Sequence, residues 1–466
     1  MMIGLAALFL AVVWFVADVT TVGAQNQLFI IVAGVVGGYM ALNIGANDVA
    51  NNVGPAFGAK SLTMAGAIVI AAVFEFAGAY IAGGDVVKTI SKGIIDPGLV
   101  ADANVFLWAM LSALLAAALW INFATFIGAP VSTTHSIVGG VMGAGIAAAG
   151  FAVVDWLVMG KIAASWVVSP VLGGIIAAAF LSFVNARIVH QQDRVVAARR
   201  WVPVLVAVMA GVFSAYLVMK GLKKVWKPDP WMVAAVGGAV FAATLAAVRP
   251  VIARRADGME NRTSAILGLF HLPLICAAAL LSFAHGANDV ANAIGPLAAI
   301  VSSAATGAVA AKVEIPSWVL FVGAAGITMG LVLFGPKLIR TVGDQITRMN
   351  PMRAYCVALS AAITVIVASA LGLPVSSTHI AVGAVFGVGF YREYRSARGA
   401  HITRGRLRHT RDLPAVWDLV PLDKLRPRKL VRRKHLWTIV AAWLITVPLS
   451  AMFAGGLFFM VRMVLG

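Results

Sequence analysis

The chain has 466 residues, 61% of them hydrophobic and 12% charged, with a mean hydropathy of +0.94. That balance excludes a water-soluble domain, because too little polar surface is available to cover the apolar bulk. The formal charge of +18 would suit a nucleic-acid binder, but the basic residues are confined to loops between apolar runs, so no nucleic acid is expected as a partner.

Apolar runs fall near 3–23, 27–44, 61–83, 104–128, 162–184, 203–219, 231–248, 265–285, 317–335, 354–373 and 438–461. Each is roughly long enough to cross a hydrocarbon core of about 30 Å as a helix. None alternates with period two, and only helices and closed barrels satisfy the backbone in lipid, so the expected fold is an all-α polytopic membrane protein. The N-terminal MMIGLAALFLAVVWFVADVT lacks a basic lead and a cleavage site and reads as a first span. Gly/Ala-rich runs at 131–153, 290–311 and 375–391 are expected to span or re-enter, giving about 10–13 transmembrane segments. Cys276 and Cys356 lie in apolar spans without metal-ligand spacing and read as small core residues.

Charge gives a partial topology. Between Tyr391 and Leu436 fourteen Lys/Arg face four acids, an excess that the positive-inside rule assigns to the cytoplasm and that suits lipid headgroups. Smaller clusters at 187–200, 220–227 and 249–262 are all basic, although the two spans between them should alternate sides, so charge alone leaves the middle unoriented.

Two polar words are each written twice. Residues 45–55 read GANDVANNVGP and 286–296 read GANDVANAIGP; PVSTTH follows at 130–135 and PVSSTH at 374–379. Similar spacing in both halves marks a duplicated folding unit. The expected organisation is an N-terminal repeat over 1–184, a connector with two spans over 185–264, and a C-terminal repeat over 265–466 that carries the basic loop 391–436. Orientation turns on parity: if 131–153 crosses, six crossings separate the 27–44 and 265–285 spans and the halves are inverted; if it re-enters, the count is five and they are parallel. The inverted plan, with broken or re-entrant helices, is the expectation, because it brings paired half-sites to one interface near the midplane.

An ionised Asp at bilayer depth costs at least ~2.5–3.5 kcal/mol on insertion scales, so Asp48 and Asp289 should persist only with partners. Helical spacing puts Asn47 with Asn51, and Asn288 with Asn292, on a common face. These hard oxygen ligands suit a small cation; capping, or Asn as interhelical glue, is the structural alternative. In the second word Pro130 and Pro374 are expected to restart a helix from its first turn. Ser132, Thr133 and Thr134, and Ser376, Ser377 and Thr378, then supply hydroxyls beside free N–H groups at a positive helix end, where two such ends could clasp one tetrahedral anion. Helix capping by Ser/Thr is the competing reading. Glu75 is the remaining intramembrane acid of the first half, a candidate for ion coupling or a neutral hydrogen-bonding acid. His135, His379 and His285, the last replaced by Ile44 in the first copy, could shuttle protons or orient the broken helices.

The doubled GANDVANxxGP and PVS(S/T)TH words, with SFAHGANDVANAIGP in the second half, closely resemble the inorganic phosphate transporter (PiT) family of secondary transporters. The resemblance covers about 27–153 and 265–461. It implies a cation-coupled phosphate symporter in the plasma membrane (the inner membrane of a bacterium), working by alternating access between two inverted halves. Asn47, Asp48, Asn288, Asp289 and the Ser/Thr runs at 132–134 and 376–378 match the family's ligand and ion positions, with cation coupling at Asp48, Asn51, Glu75, Asp289 and Asn292. The full GAND form resembles the sodium-coupled more than the proton-coupled branch; no cofactor or resident metal is implied beyond a transported sodium ion. The chain departs from related members where Ala358 replaces an acid, which leaves the cation stoichiometry open. Expected partners are inorganic phosphate, the coupling cation and membrane lipids, with homo-oligomerisation left open. Competing readings are a sulfate or other oxyanion permease of the same fold and, in a different class, a membrane enzyme acting on lipid phosphates. The enzyme should carry an acidic metal motif at the interface, and the sequence contains none.

Overall fold

The computed structural model describes all residues except 101, 128–130, 222–227, 308, 310–312, 342–348, 410–432 and 466; the side chains of 127, 221, 306, 397–409, 433–440, 442, 443 and 465 also lie outside the description. Pro130 and most of the basic 391–436 loop therefore fall outside it. The described chain is helical: α1 (Met2–Thr20), α2 (Gln27–Gly58), α3 (Met64–Ala82), α4 (Gly84–Lys92), α5 (Ala103–Ile127), α6 (Thr133–Ala149), α7 (Trp156–Val184), α8 (Arg194–Gly221), α9 (Pro230–Ala256), α10 (Thr263–Ile266), α11 (His271–Thr306), α12 (Ser317–Thr341), α13 (Pro351–Ala370), α14 (Ser377–His409) and α15 (Arg433–Leu465). Among the described residues, eleven helical segments are long and apolar enough to cross a membrane.

The GAND words sit inside unbroken helices, α2 and α11, so the break belongs to the second word alone. The 290–311 run, as far as Thr306, is correspondingly the second half of α11 and not a segment of its own. Both helices carry an internal proline, Pro55 and Pro296, placed late enough that the polar word upstream keeps its helical ladder.

The run at 131–153 re-enters. The main chain before α5 pairs with the main chain after α6, Asp96 N–H donating to Val153 O (2.7 Å) and Asp155 N–H to Ile94 O (3.0 Å), so α5 and α6 form a hairpin that returns to the face it left. Re-entry nevertheless gives inverted halves, correcting the parity expected from sequence. A hairpin removes both of its arms from the count, and α3, α7, α8 and α9 remain as complete crossings between α2 and α11, an even number. Antiparallel packing agrees: Gly37 lies against Leu297, whereas Asp48, further along α2, lies against His285, earlier in α11.

The two halves exchange neighbours about a pseudo-twofold axis. α2 packs on α12 and α11 on α3; α6 packs on α15 and α14 on α7. Gly45 and Gly286, the first residues of the GAND words, are the contact points: a Cβ at Gly45 would run into the carbonyl of Ile327, and one at Gly286 into the carbonyl of Glu75. Small residues that let helix backbones touch replace the hydrophobic drive that is missing between helices in lipid. The glycine of each polar word thus fixes its helix against the opposite half.

α8 and α9 pack on each other outside this exchange. The basic clusters at the start of α8 and the end of α9 share one face of the molecule. Arg199 pairs with Asp257 (2.5 Å), the Arg194 N–H donates to Asn261 Oδ1 (2.9 Å), and Arg395 on α14 reaches His190 Nε2 (2.9 Å). The face that charge left unoriented is therefore continuous with the side from which the 391–436 loop departs.

Candidate functional site

Asp48 is 1% exposed near the middle of α2 and accepts hydroxyl hydrogen bonds from both halves: Thr133 Oγ1 of α6 to Oδ2 (3.1 Å) and Thr378 Oγ1 of α14 to Oδ1 (3.2 Å). Asp289, equally buried on α11, accepts from Ser377 Oγ (3.3 Å). The asparagines one turn on complete a crossed pattern. Asn51 donates to Thr378 Oγ1 (2.8 Å), and Asn292 donates to Thr134 Oγ1 (3.1 Å) and Thr133 Oγ1 (3.4 Å), each reaching into the opposite repeat. Thr134 Oγ1 donates to Val375 O (3.0 Å), joining the two helix starts.

Ser132 and Ser376 cap α6 and α14, their Oγ atoms accepting from His135 N–H (3.2 Å) and His379 N–H (3.4 Å). The expectation that Pro374 occupies the first helical turn is corrected: α14 begins at Ser377, and Pro374 precedes the serine cap, where its restricted backbone keeps the incoming chain extended. Capping and anion recognition are compatible, because the cap uses the serine while Thr133, Ser377 and Thr378 point their hydroxyls at the carboxylates and Thr134 donates to Val375 O. His135 and His379 pack with ring centroids 4.9 Å apart and planes tilted by 59°, and the His135 ring centroid lies 3.8 Å from that of Trp166.

Asn47 and Asn288 stand apart from this cluster and hold the hairpins. Asn47 Nδ2 donates to Thr125 Oγ1 of α5 (2.7 Å). Asn288 Nδ2 donates to Ser369 Oγ (2.9 Å) and Leu373 O (3.1 Å), while its Oδ1 accepts from Val375 N–H (3.2 Å). The shared face of Asn47 with Asn51, and of Asn288 with Asn292, is thus the face turned to the hairpins in both halves.

Around this twofold pattern lies one asymmetric feature. Glu75, fully buried, accepts from Asn52 Nδ2 (2.8 Å) and lies 3.2 Å from His285 Nδ1. His285 Nε2 in turn lies 3.2 Å from Asp289 Oδ2 and 3.8 Å from Asp48 Oδ2. All three members of the group are mismatches between the repeats: Asn52 stands where the second copy has Ala293, His285 where the first has Ile44, and Glu75 where the helix exchange places Ile327. Asn52 was missed in the sequence reading, although its mismatch with Ala293 was legible within the motif itself. Asp48, His285 and Asp289 offer ligand atoms within 4.8 Å of one another, a set able to hold one cation.

An inverted-repeat helical membrane protein with re-entrant hairpins, whose polar groups from both halves converge at one buried centre, has the architecture of a secondary transporter. The sequence profile of the phosphate transporter family matches residues 44–454, and the chain belongs to that family. A Helicobacter pylori protein described as a phosphate permease is 45% identical over 98% of this chain and 94% of its own length; a Pyrococcus furiosus phosphate permease is 35% identical over 92% and 95%. Among solved structures, a sodium-dependent phosphate transporter matches with a TM-score of 0.82 and 36% identity, covering 94% of this chain and 100% of that one. The chain is accordingly a multi-pass membrane transporter of phosphate and not an enzyme.

Proposed function

We propose that this chain is a sodium-coupled phosphate symporter of the bacterial inner membrane that works by alternating access. The observation that carries the reading is the double hold on Asp48, which accepts from Thr133 of one repeat and Thr378 of the other. The anion is taken between the starts of α6 and α14, whose free N–H groups and hydroxyls offer donors at positive helix ends without a buried Arg or Lys. Ser132, Thr133 and Thr134 serve from one side, and Ser376, Ser377 and Thr378 from the other.

Coupling follows from charge. A phosphate beside Asp48 and Asp289 meets like charges, and two unit charges about 4 Å apart cost about 4 kcal/mol at an effective dielectric near 20. A cation at the Asp48–Asp289 centre offsets this repulsion. It also draws the carboxylates from Thr133, Thr378 and Ser377, releasing those hydroxyls to donate to phosphate. Cation first, anion second is the order this competition favours.

Glu75, Asn52 and His285 give the centre one polarised side, so the coupling cation sits off the twofold axis. The sodium dependence of the structural neighbour supports sodium as that ion. Basic loops on one face support a cytoplasmic assignment for that face, and domain limits at 1–184, 185–264 and 265–466 follow the repeat exchange. Phosphate binding to the purified chain, titrated with and without sodium, tests the reading: sodium should tighten binding in wild type and lose this effect in Asp48→Asn. Sodium-independent binding in both would refute it.

A further inference from the structure

The turn between α13 and α14 brings Ser376 and Ser377 to the anion site, and its carbonyls are held from five helices. Trp166 Nε1 of α7 donates to Pro374 O (3.0 Å), Thr134 of α6 to Val375 O, and Asn288 of α11 to Leu373 O. Two further holds lie at the other end of the turn. Thr89 Oγ1 of α4 donates to Gly372 O (2.6 Å), and Lys220 Nζ of α8 donates to Ala370 O (3.2 Å) while pairing with Asp85 Oδ2 of α4 (2.5 Å).

The first three anchors are neutral donors, buried or largely so, within the repeats. Thr89 is likewise a neutral donor within a repeat, whereas Lys220 differs. Lys220 belongs to the connector, which takes no part in the repeat exchange, and its ion pair is partly open to the surroundings, with side chains 14% and 31% exposed. α8 begins on the face of the basic loops, at Arg194, so Lys220 at its far end stands at the opposite face. Gly372 has φ +69°, a left-handed conformation that glycine adopts without steric cost, and it stands where the inner and outer anchors meet. The same helix touches the motif: Phe213 and Tyr216 of α8 pack edge-on against Phe283, two residues before His285.

We propose that α8 is a latch: Lys220, with Asp85 and Thr89, holds the α13–α14 turn closed over the anion site on the face opposite the basic loops, and this latch opens in each transport cycle. The inference rests on the reading of 374–379 as half of the phosphate site. Release of two outer contacts about Gly372 frees the turn's outer end while Trp166, Thr134 and Asn288 keep its inner end in register. A connector outside the twofold exchange thereby gives one face a gate fastening of its own.

Sided thiol labelling of the full chain in oriented proteoliposomes tests this. Val86, fully buried beside Asp85, takes the reporter Val86→Cys, with the parent chain giving the background from Cys276 and Cys356. Adding Lys220→Met or Thr89→Val should speed labelling by an impermeant maleimide from the face opposite the basic loops by about tenfold or more, as expected when a minor open state becomes common. Lys220→Arg, which keeps a cationic donor for both Asp85 and Ala370 O, should retain slow labelling. Amide exchange across 371–375, measured without the reporter, should quicken in the same variants. Labelling and exchange that stay at wild-type rates in both Lys220→Met and Thr89→Val would overturn the latch. Phosphate binding by the same preparations keeps the claims separate: failure of the wild-type chain to bind phosphate would sink the anion-site reading, not the latch measurement.

Discussion

His285 Nδ1 lies 3.2 Å from Glu75 Oε2 while its Nε2 lies 3.2 Å from Asp289 Oδ2, so one imidazole joins the unmatched carboxylate of α3 to the motif carboxylate of α11. The symmetry-related places are Ile44 and Ile327, one from each repeat and both fully buried in the apolar core. The molecule thus contains an apolar version of its own polar pair. Replacing a buried ionic pair by packed apolar side chains is often neutral or stabilising. Glu75→Ile with His285→Ile should therefore insert and still bind phosphate, but its cation-driven accumulation should fall by about tenfold or more, corresponding to ~1.4 kcal/mol of lost coupling. Uptake under a cation gradient checks this; wild-type accumulation by the double variant would remove the pair from coupling.

Asp48→Asn should abolish labelled phosphate uptake in proteoliposomes, and Thr133→Ala should cut it by about 10- to 100-fold, the range given by ~1.5–3 kcal/mol for a hydrogen bond to a charged group. Both proteins should insert normally. Unchanged uptake in both would mean that the anion and cation sites lie elsewhere.

Gly45→Ala and Gly286→Ala force a methyl group into the backbones of Ile327 and Glu75, with no flexible side chain able to yield. Overpacking of this kind costs about 1–3 kcal/mol, so each variant should lower the thermal stability of the detergent-solubilised chain before any effect on a ligand is considered. Wild-type melting temperatures for both would show that the helices can part without loss.

Selectivity follows from Asp289 Oδ1, a buried carboxylate oxygen without a hydrogen-bond partner among the described residues. It can accept from a protonated phosphate, whereas fully ionised sulfate offers it no proton. Excess sulfate should leave phosphate uptake essentially unchanged. Equal competition by sulfate would favour a general oxyanion permease.

Much of this was legible in the sequence, for reasons that particular residues make plain. Asp48 and Asp289 are too costly in lipid to be incidental, and their duplication announced a twofold site. The hydroxyls of Thr133 and Thr378 do meet one carboxylate, but which half each would serve could not be read, since that depends on how the hairpins cross. The role of Gly45 and Gly286 was not legible, because only the packed structure shows that they permit close contact inside continuous helices. Re-entry was foreseen as an alternative, but its effect on parity was not, because Asp96 and Val153 must pair before both hairpin arms leave the count. The Asn52–Glu75–His285 group needed three-dimensional contact, although each member was visible as a mismatch between repeats.

The central claim, that cation binding at the Asp48–Asp289 centre drives phosphate through a divided site, is tested most directly by labelled phosphate uptake into proteoliposomes with sodium and proton gradients imposed in turn. Sodium-driven uptake that survives collapse of the proton gradient and disappears in Asp48→Asn is the predicted result. Uptake driven by protons without sodium, or sodium-driven uptake that persists in Asp48→Asn, would contradict it.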